Sequence, residues 1–259
     1  MSFFEISFSQ IPPNLDTFFN PDEPQAKRCF AVLDGVAAGR VFINHHDKPS
    51  WGIVQEAYDG SIFLGGQLTR KTVAEVVSHL RKDGAVLAGL RFEDPKLDLL
   101  PEDPDYAGLA LEFYERPSMH KLDHIISKLP QELSLQKVDR ELVLKSTWGP
   151  GDVEAIGGLA EWERHFLGFC VVRDGKILAE AFAGPPARGV YEPGVFTQET
   201  HRSQGYGSIV SARLIQEIES FGGTSYWNCA KQNLASARIA EKLGYQRMTE
   251  YRVLGWRQL

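Results

Sequence analysis

Residues 202–208 read R-S-Q-G-Y-G-S, between "EPGVFTQETH" (192–201) and the apolar-periodic run "IVSARLIQEI" (209–218). Two glycines spaced G-x-G at the start of a helix let backbone come close to an anion. The first helical turn leaves N–H groups unpaired, and the helix dipole adds partial positive charge at that end. Arg202 adds a fixed charge, so the turn is a candidate phosphate site. The spacing is not G-x-x-x-x-G-K-S/T, and the third glycine of a dinucleotide fingerprint is missing. Taken alone, the same residues also read as a flexible turn.

Working outward, the second half predicts a helix over 152–164 and strands over 166–172 and 176–183, joined by a turn at Asp174-Gly175. A strand over 189–197, a helix over 206–220, a strand over 224–229, a helix over 233–243 and a strand over 246–256 follow. Hairpin strands come first, and a helical crossover then makes later strands parallel, which is a mixed α/β sheet. Asp152 is expected to cap the first of these helices. Gly-Pro-Gly in "STWGPGD" (146–152) interrupts regular structure, so a domain boundary is placed between residues 1–145 and 146–259.

In the first half, "RCFAVLDGVAAGRVFIN" (28–44) and "WGIVQEAYDGSIFLGG" (51–66) each read as two strands. Val73, Val76, Val77 and Leu80 have helical spacing, "AVLAGLRF" reads as a buried strand, and "EDPKLDLLPEDPDYAG" as an exposed connection. A strand at "LALEFYE", a short helix around 119–128 and a strand at "ELVLKS" complete it.

Of 259 residues, 43% are hydrophobic and 24% charged, the balance of a globular chain able to bury a core. A net charge of -6 argues against nucleic acid as a partner, since phosphate backbone calls for a basic face. Apolar runs fall short of the ~20 residues that span a bilayer, and the opening "MSFFEISFSQIPPN" is unlike a signal peptide. Cys29, Cys170 and Cys229 are far apart in strand-like apolar contexts, which points to reduced, buried thiols in a cytoplasmic protein. No zinc-ligand spacing occurs. His45-His46-Asp47 reads as a solvated loop and His120/His124 as a structural pair, so no metal site is expected.

Downstream of the glycine turn comes "YWNCAKQNLASARIAEKLGYQ" (226–246). Arg202, Gly205 and Gly207, followed by Asn233, Ser236, Lys242, Gly244 and Tyr245, resemble the two ordered motifs of the GNAT superfamily of acetyl-CoA-dependent N-acetyltransferases. The resemblance covers roughly residues 150–259. It implies the GNAT fold, a mixed central sheet flanked by helices, in the α/β (α+β) class. "EPGVFTQETHRSQGYGS" and "WNCAKQNLASARIAEKLGY" are further similar to the branch that includes the zwittermicin A resistance acetyltransferase. Members of that branch carry an additional N-terminal α/β region, which suits residues 1–145. That region holds no R-x-x-G-x-G, so a second coenzyme A site is not expected.

The resemblance implies that main-chain groups of Val195, Phe196 and Thr197 pair with the pantetheine arm of coenzyme A. Backbone amides of Ser203, Gln204, Gly205, Tyr206, Gly207 and Ser208 would then hold its pyrophosphate beside Arg202. Asn233 and Ser236 are expected at the cofactor, with helix capping as a further role for Asn233. Acetyl transfer needs a neutral amine, so a carboxylate base is expected. Glu192, on the strand leading to "GVFT", is the first candidate and Glu180 the second, each with a structural alternative. Period-2 alternation puts Glu192, Gly194 and Phe196 on one face and Tyr191, Val195 and Thr197 on the other. Tyr191, Tyr226 and Cys229 read as core residues before proton donors.

One departure matters. Many members carry a tyrosine as general acid seven residues after the asparagine; this chain has Ala240, and Asn228 where some have a glutamate. The expected function is acetyl transfer from acetyl-CoA to a primary amine of a small molecule. The alternatives are a non-catalytic acyl-CoA sensor and a protein N-acetyltransferase.

Overall fold

The computed structural model describes residues 3–114 and 120–259. The chain divides into two compact units: Met1–Glu112 with Ala230–Gln232 and Thr249–Leu259, and Phe113–Cys229 with Asn233–Met248.

The first unit contains β1 (Phe4–Ile6), α1 (Ala26–Leu33), β2 (Gly39–Ile43), β3 (Trp51–Glu56), β4 (Ser61–Gly66), α2 (Arg70–Leu80), β5 (Val86–Leu90) and most of β6 (Tyr106–Tyr114). The β1–β4 strands follow one another antiparallel, and β4 pairs parallel with β5. Residues Arg252–Trp256 of the last strand return antiparallel to β5. The α2 helix buries Val73, Val76, Val77 and Leu80 against Phe42, Ile53, Leu64 and Trp256. Each such side chain contributes about 1.5–3 kcal/mol through burial.

In this unit the expected strand at "RCFAVL" is the helix α1. Cys29, Phe30, Ala31 and Val32 are all buried, and a short continuous apolar run looks alike in a buried strand and a buried helix. The carboxylate of Glu112, fully buried and 87 residues away, accepts the Gln25 amide at 3.2 Å where the helix begins. That partner is invisible locally. "EDPKLDLLP" forms a 3-10 turn over Pro95–Leu99, after which Leu100 is buried.

The second unit holds α3 (His120–Ile126), β7 (Ser134–Lys137), α4 (Arg140–Lys145), α5 (Gly149–Ala155), α6 (Leu159–His165), β8 (Leu167–Arg173), β9 (Lys176–Ala183), β10 (Val190–Tyr191), β11 (Pro193–Thr197), α7 (Tyr206–Ser220), β12 (Thr224–Ser225), β13 (Trp227–Ala230) and α8 (Leu234–Leu243). The last strand, β14, spans Gln246–Trp256. Four strands form an antiparallel sheet in the order β11-β9-β8-β7. Its core joins Val143, Trp162, Cys170, Val172 and Phe182.

The expected strand at "ELVLKS" is instead the helix α4. Asp139 starts it by accepting the amides of Glu141 and Leu142 at 3.0 and 2.9 Å. The strand beside it is "SLQK", whose mostly exposed residues show no alternation. The single helix expected over 152–164 is two, α5 and α6, parted at Gly157-Gly158 where φ is +92° and +123°. Asp152 does not cap; it lies buried inside α5. The 145/146 division expected from "STWGPGD" is not where the compact units part, because β7 pairs with β8 and brings residues 134–137 into the second unit.

Cys29, Cys170 and Cys229 are buried free thiols. His45 turns its Nδ1 back onto the amides of Asp47 and Lys48 at 3.2 and 3.3 Å. The His120 side chain lies outside the described residues. Among the described residues, no helix is long and apolar enough to cross a membrane.

Candidate active site

The strand expected over 189–197 breaks at Glu192 into β10 and β11. The β10 strand pairs parallel with β12 through Val190↔Thr224 and Tyr191↔Ser225. Past the break, β11 pairs antiparallel with β9, and among the described residues its other edge pairs with no strand. The Gln198 amide donates to the Leu178 carbonyl at 2.9 Å, in register with the ladder. By strand alternation, Phe196 and Gly194 also turn their polar backbone groups towards β9, while Val195 and Thr197 turn theirs to the free edge. Within β11 the side chains obey the expected alternation, which the break at Glu192 interrupts. Trp148 covers Phe196 at a ring separation of 5.8 Å, and the Val195 and Thr197 side chains face Gly207.

A 3-10 turn, Glu199–His201, then leads into the glycine turn. Ser203 and Gly205 both take positive φ, +63° and +87°, and Gly205 is the N-cap of α7. No side chain caps this end. The first-turn amides of Tyr206, Gly207 and Ser208 therefore keep free donors. Gly207 has a reason to be glycine: an added Cβ would stand 3.0 Å from Thr197 Oγ1 and 3.3 Å from Ile239 Cδ1. The absence of that atom lets α7 begin against β11 and α8. Arg202 is exposed, its Nε 3.4 Å from the Thr197 carbonyl oxygen. Lys242 brings its Nζ to 3.9 Å from where a Cβ on Gly205 would be. Unpaired amides, two cations and a free strand edge fit a diphosphate joined to an extended amide-bearing arm.

At the break itself, the Tyr226 hydroxyl donates a short hydrogen bond to Glu192 Oε2. Tyr226 is 1% exposed, and its ring stacks on Tyr114 at 5.6 Å and 17°. Its amide donates to the Tyr191 carbonyl at 3.0 Å. Glu192 is thus a half-buried carboxylate held by a rigid donor, at the point where two paired strands part. Tyr191 packs edge-on against Phe221, and burial pushes its phenol up.

A family model described as GNAT acetyltransferase matches residues 22–254. The chain belongs to the GNAT acetyltransferase family. The match reaches well ahead of residue 150, where the resemblance read from the sequence begins. The chain is 25% identical over 236 residues to the uncharacterized N-acetyltransferase YdfB of Bacillus subtilis, covering 86% of this chain and 88% of that one. Its fold is similar to that of a GCN5-related N-acetyltransferase-like protein from Streptococcus suis, with a TM-score of 0.71, 21% identity and coverage of 94% and 96% of the two chains. It is also similar to a GNAT-family acetyltransferase from Colwellia psychrerythraea, with a TM-score of 0.62, 12% identity and coverage of 99% and 100%. The mixed sheet flanked by helices is the GNAT fold.

Several other candidate residues of this GNAT enzyme are engaged within the protein. The Asn233 Oδ1 accepts the Ser236 amide at 3.2 Å and caps α8, as its position suggested. The Ser236 hydroxyl accepts from Trp227 Nε1 at 3.0 Å. Cys229 is buried, and burial pushes its thiol up. Ala240 is fully buried in α8, so its position offers no proton donor.

Glu180 is fully buried on β9, opposite Phe196. Its carboxylate accepts the Thr147 amide with both oxygens and the Trp148 amide with one, all at 3.0 Å, where α5 begins. Burial pushes Glu180 up. Nearby, Asp152 is pushed up to about 6, first by burial and then by the charge of Glu180. Cys170, opposite Glu180 on β8, is pushed up to about 12, chiefly by burial. These contacts make Glu180 a clasp for the start of α5. Sequence reasoning had no sign of the Tyr226–Glu192 pair, because strand neighbours 34 residues apart meet only in the fold. Lys242 was legible as part of the second motif, though not as a neighbour of Gly205.

Proposed function

We propose that this GNAT enzyme transfers the acetyl group of acetyl-CoA to a primary amine of a small molecule, with Glu192 as the base. The observation that carries the reading is Glu192, gripped by Tyr226, at the break between β10 and β11. A carboxylate there adjoins both the free edge of β11 and the strand that leads into the glycine turn. Bound acetyl-CoA supplies the activated acetyl thioester. Free-edge groups of Val195 and Thr197 bind the pantetheine amides, while the Phe196 ring packs against Trp148. Amides of the turn, Ser203 through Ser208, bind the pyrophosphate with Arg202. Glu192 would take a proton from the ammonium form of the acceptor, and the freed amine would form the C–N bond as the thioester C–S bond breaks, the departing coenzyme A thiolate taking up the proton lost by the new amide nitrogen. Asn233 and Ser236 shape the flank through α8 rather than through free polar groups.

The glycine turn, Glu192, Asn233 and Ser236 all lie in the second compact unit, which constitutes the catalytic part, while the residues ahead of it serve as the additional region of the zwittermicin A resistance branch. Buried free thiols suit a reducing compartment, the cytoplasm. The test is release of free coenzyme A from acetyl-CoA in the presence of a panel of small amines. Release with at least one amine is expected. Tight acetyl-CoA binding without release by any amine, peptide amines included, would favour a sensor instead.

A further inference from the structure

Trp148 and Asp152 stand one turn apart on the same side of α5, where the Asp152 amide donates to the Trp148 carbonyl at 3.0 Å. That side meets the sheet. Val153 and Ile156 pack with Trp148 against the core that holds Cys170 and Phe182. Glu180 accepts the amides of Thr147 and Trp148 where the helix begins. Residues directly opposite in an antiparallel pair share a face, so Glu180 and Phe196 lie on the same side of the sheet, under α5. Gly194 belongs to that face as well, since an added Cβ would stand 3.1 Å from Trp148 Cζ3. The indole therefore lies on β11 only two residues from Glu192.

Asp152 is 7% exposed, and among the described residues no group donates a hydrogen bond to its carboxylate or pairs with it. The charge acting on it is the like charge of Glu180. With its carboxyl pushed up to about 6, Asp152 is ionised at pH 7.5. A buried anion without a counterion is unfavourable until a cation reaches it. The fold supplies none.

We propose that Asp152 and Trp148 form the far end of the acceptor site and that the acceptor is a diamine, its second ammonium held between the indole and the Asp152 carboxylate. The inference rests on the acetyl-transfer reading above, with Glu192 at the near end. An ammonium answers both groups, because it neutralises the carboxylate and is attracted to the face of an aromatic ring. An acceptor carrying a carboxylate or phosphate would meet the charges of Asp152 and Glu180 instead. Along the strand Phe196 is at most ~13 Å from Glu192, and Asp152 stands a turn of ~5.4 Å along α5 from Trp148. Charges so far apart require several methylenes between the two nitrogens.

The experiment is steady-state kinetics at pH 7.5 of the wild type and Asp152→Asn with hexamethylenediamine, octamethylenediamine, ethylenediamine and hexylamine as acceptors. Thermal unfolding checks that the variant is folded. A hydrogen bond to a charged group corresponds to about tenfold to a hundredfold in affinity. The wild type is expected to show kcat/KM at least ~10-fold higher for the long diamines than for hexylamine, through KM and after allowing for two equivalent amines. Ethylenediamine should gain nothing over hexylamine. In Asp152→Asn the preference for long diamines should vanish. Retention of the wild-type preference by the variant overturns the proposal, and so does an equal loss for every acceptor. A wild type that prefers hexylamine, or that acetylates other amines and none of these, also overturns it while leaving acetyl transfer intact. If no amine releases coenzyme A from acetyl-CoA, the acetyl-transfer reading itself fails, a result distinct from the others.

Discussion

Asp152 tests the electrostatics beneath the α5 helix. Its carboxyl is buried beside Glu180, and the folded protein holds the proton up to about pH 6 against an ordinary value of 3.8. Folding therefore disfavours the ionised form. Below the ordinary value both states are protonated and the group is neutral to stability. As pH rises from there to about 6, the unfolded chain releases its proton first, and stability falls. Above about 6 the loss is complete. The full shift corresponds to about 3 kcal/mol, and solvent around an otherwise exposed short helix screens it to roughly 1–2 kcal/mol. Asp152→Asn keeps the shape and removes the charge. It should raise Tm at pH 7.5 by about 2–4 °C per kcal/mol. The gain should shrink steadily as pH falls towards 4. Thermal unfolding followed by circular dichroism across that range reads the difference. A variant no more stable than wild type at pH 7.5, or one whose gain persists undiminished at low pH, would refute the reasoning.

Other expectations follow from single contacts. Gly207→Ala forces a methyl to within 3.0 Å of Thr197 Oγ1 and 3.3 Å of Ile239 Cδ1. Such overpacking costs about 1–3 kcal/mol, so calorimetry should show weaker coenzyme A binding together with a lower Tm. Tyr226→Phe removes the donor on Glu192 while keeping the stack on Tyr114. It should lower kcat about tenfold with little change in the KM for acetyl-CoA, since the lost hydrogen bond to a charged group is worth ~1.5–3 kcal/mol. The three thiols are buried, and Cys170 is pushed up to about 12. Native protein should react negligibly with a thiol reagent at pH 8 and fully in denaturant.

The glycine turn was legible because its chemistry is local. Arg202, Gly205 and Gly207 precede an apolar period of 3.6, and α7 starts and ends where that pattern does, at Tyr206 and Ser220. The same holds for β9, α8 and β14. What stayed hidden depends on distant partners. The α1 helix needs Glu112 at its start, and β7 is a strand because β8 offers an edge to four unremarkable residues. Glu180 was plausible as a base from its position, yet its carboxylate is occupied by the amides of Thr147 and Trp148. Glu192 was expected within one continuous strand, but it sits where that strand breaks, and the break and the hydroxyl that grips it arise from β10 and β12 pairing for two residues and then parting.

The account turns on Glu192 acting on an amine while the rest of the site holds acetyl-CoA. Glu192→Gln, compared with wild type for free-thiol release on the best amine of a panel and for acetyl-CoA affinity by calorimetry, tests it most directly. General base catalysis contributes about 10²–10⁴-fold, so kcat should fall by at least ~10²-fold with acetyl-CoA affinity unchanged. Turnover equal to wild type in Glu192→Gln would contradict it.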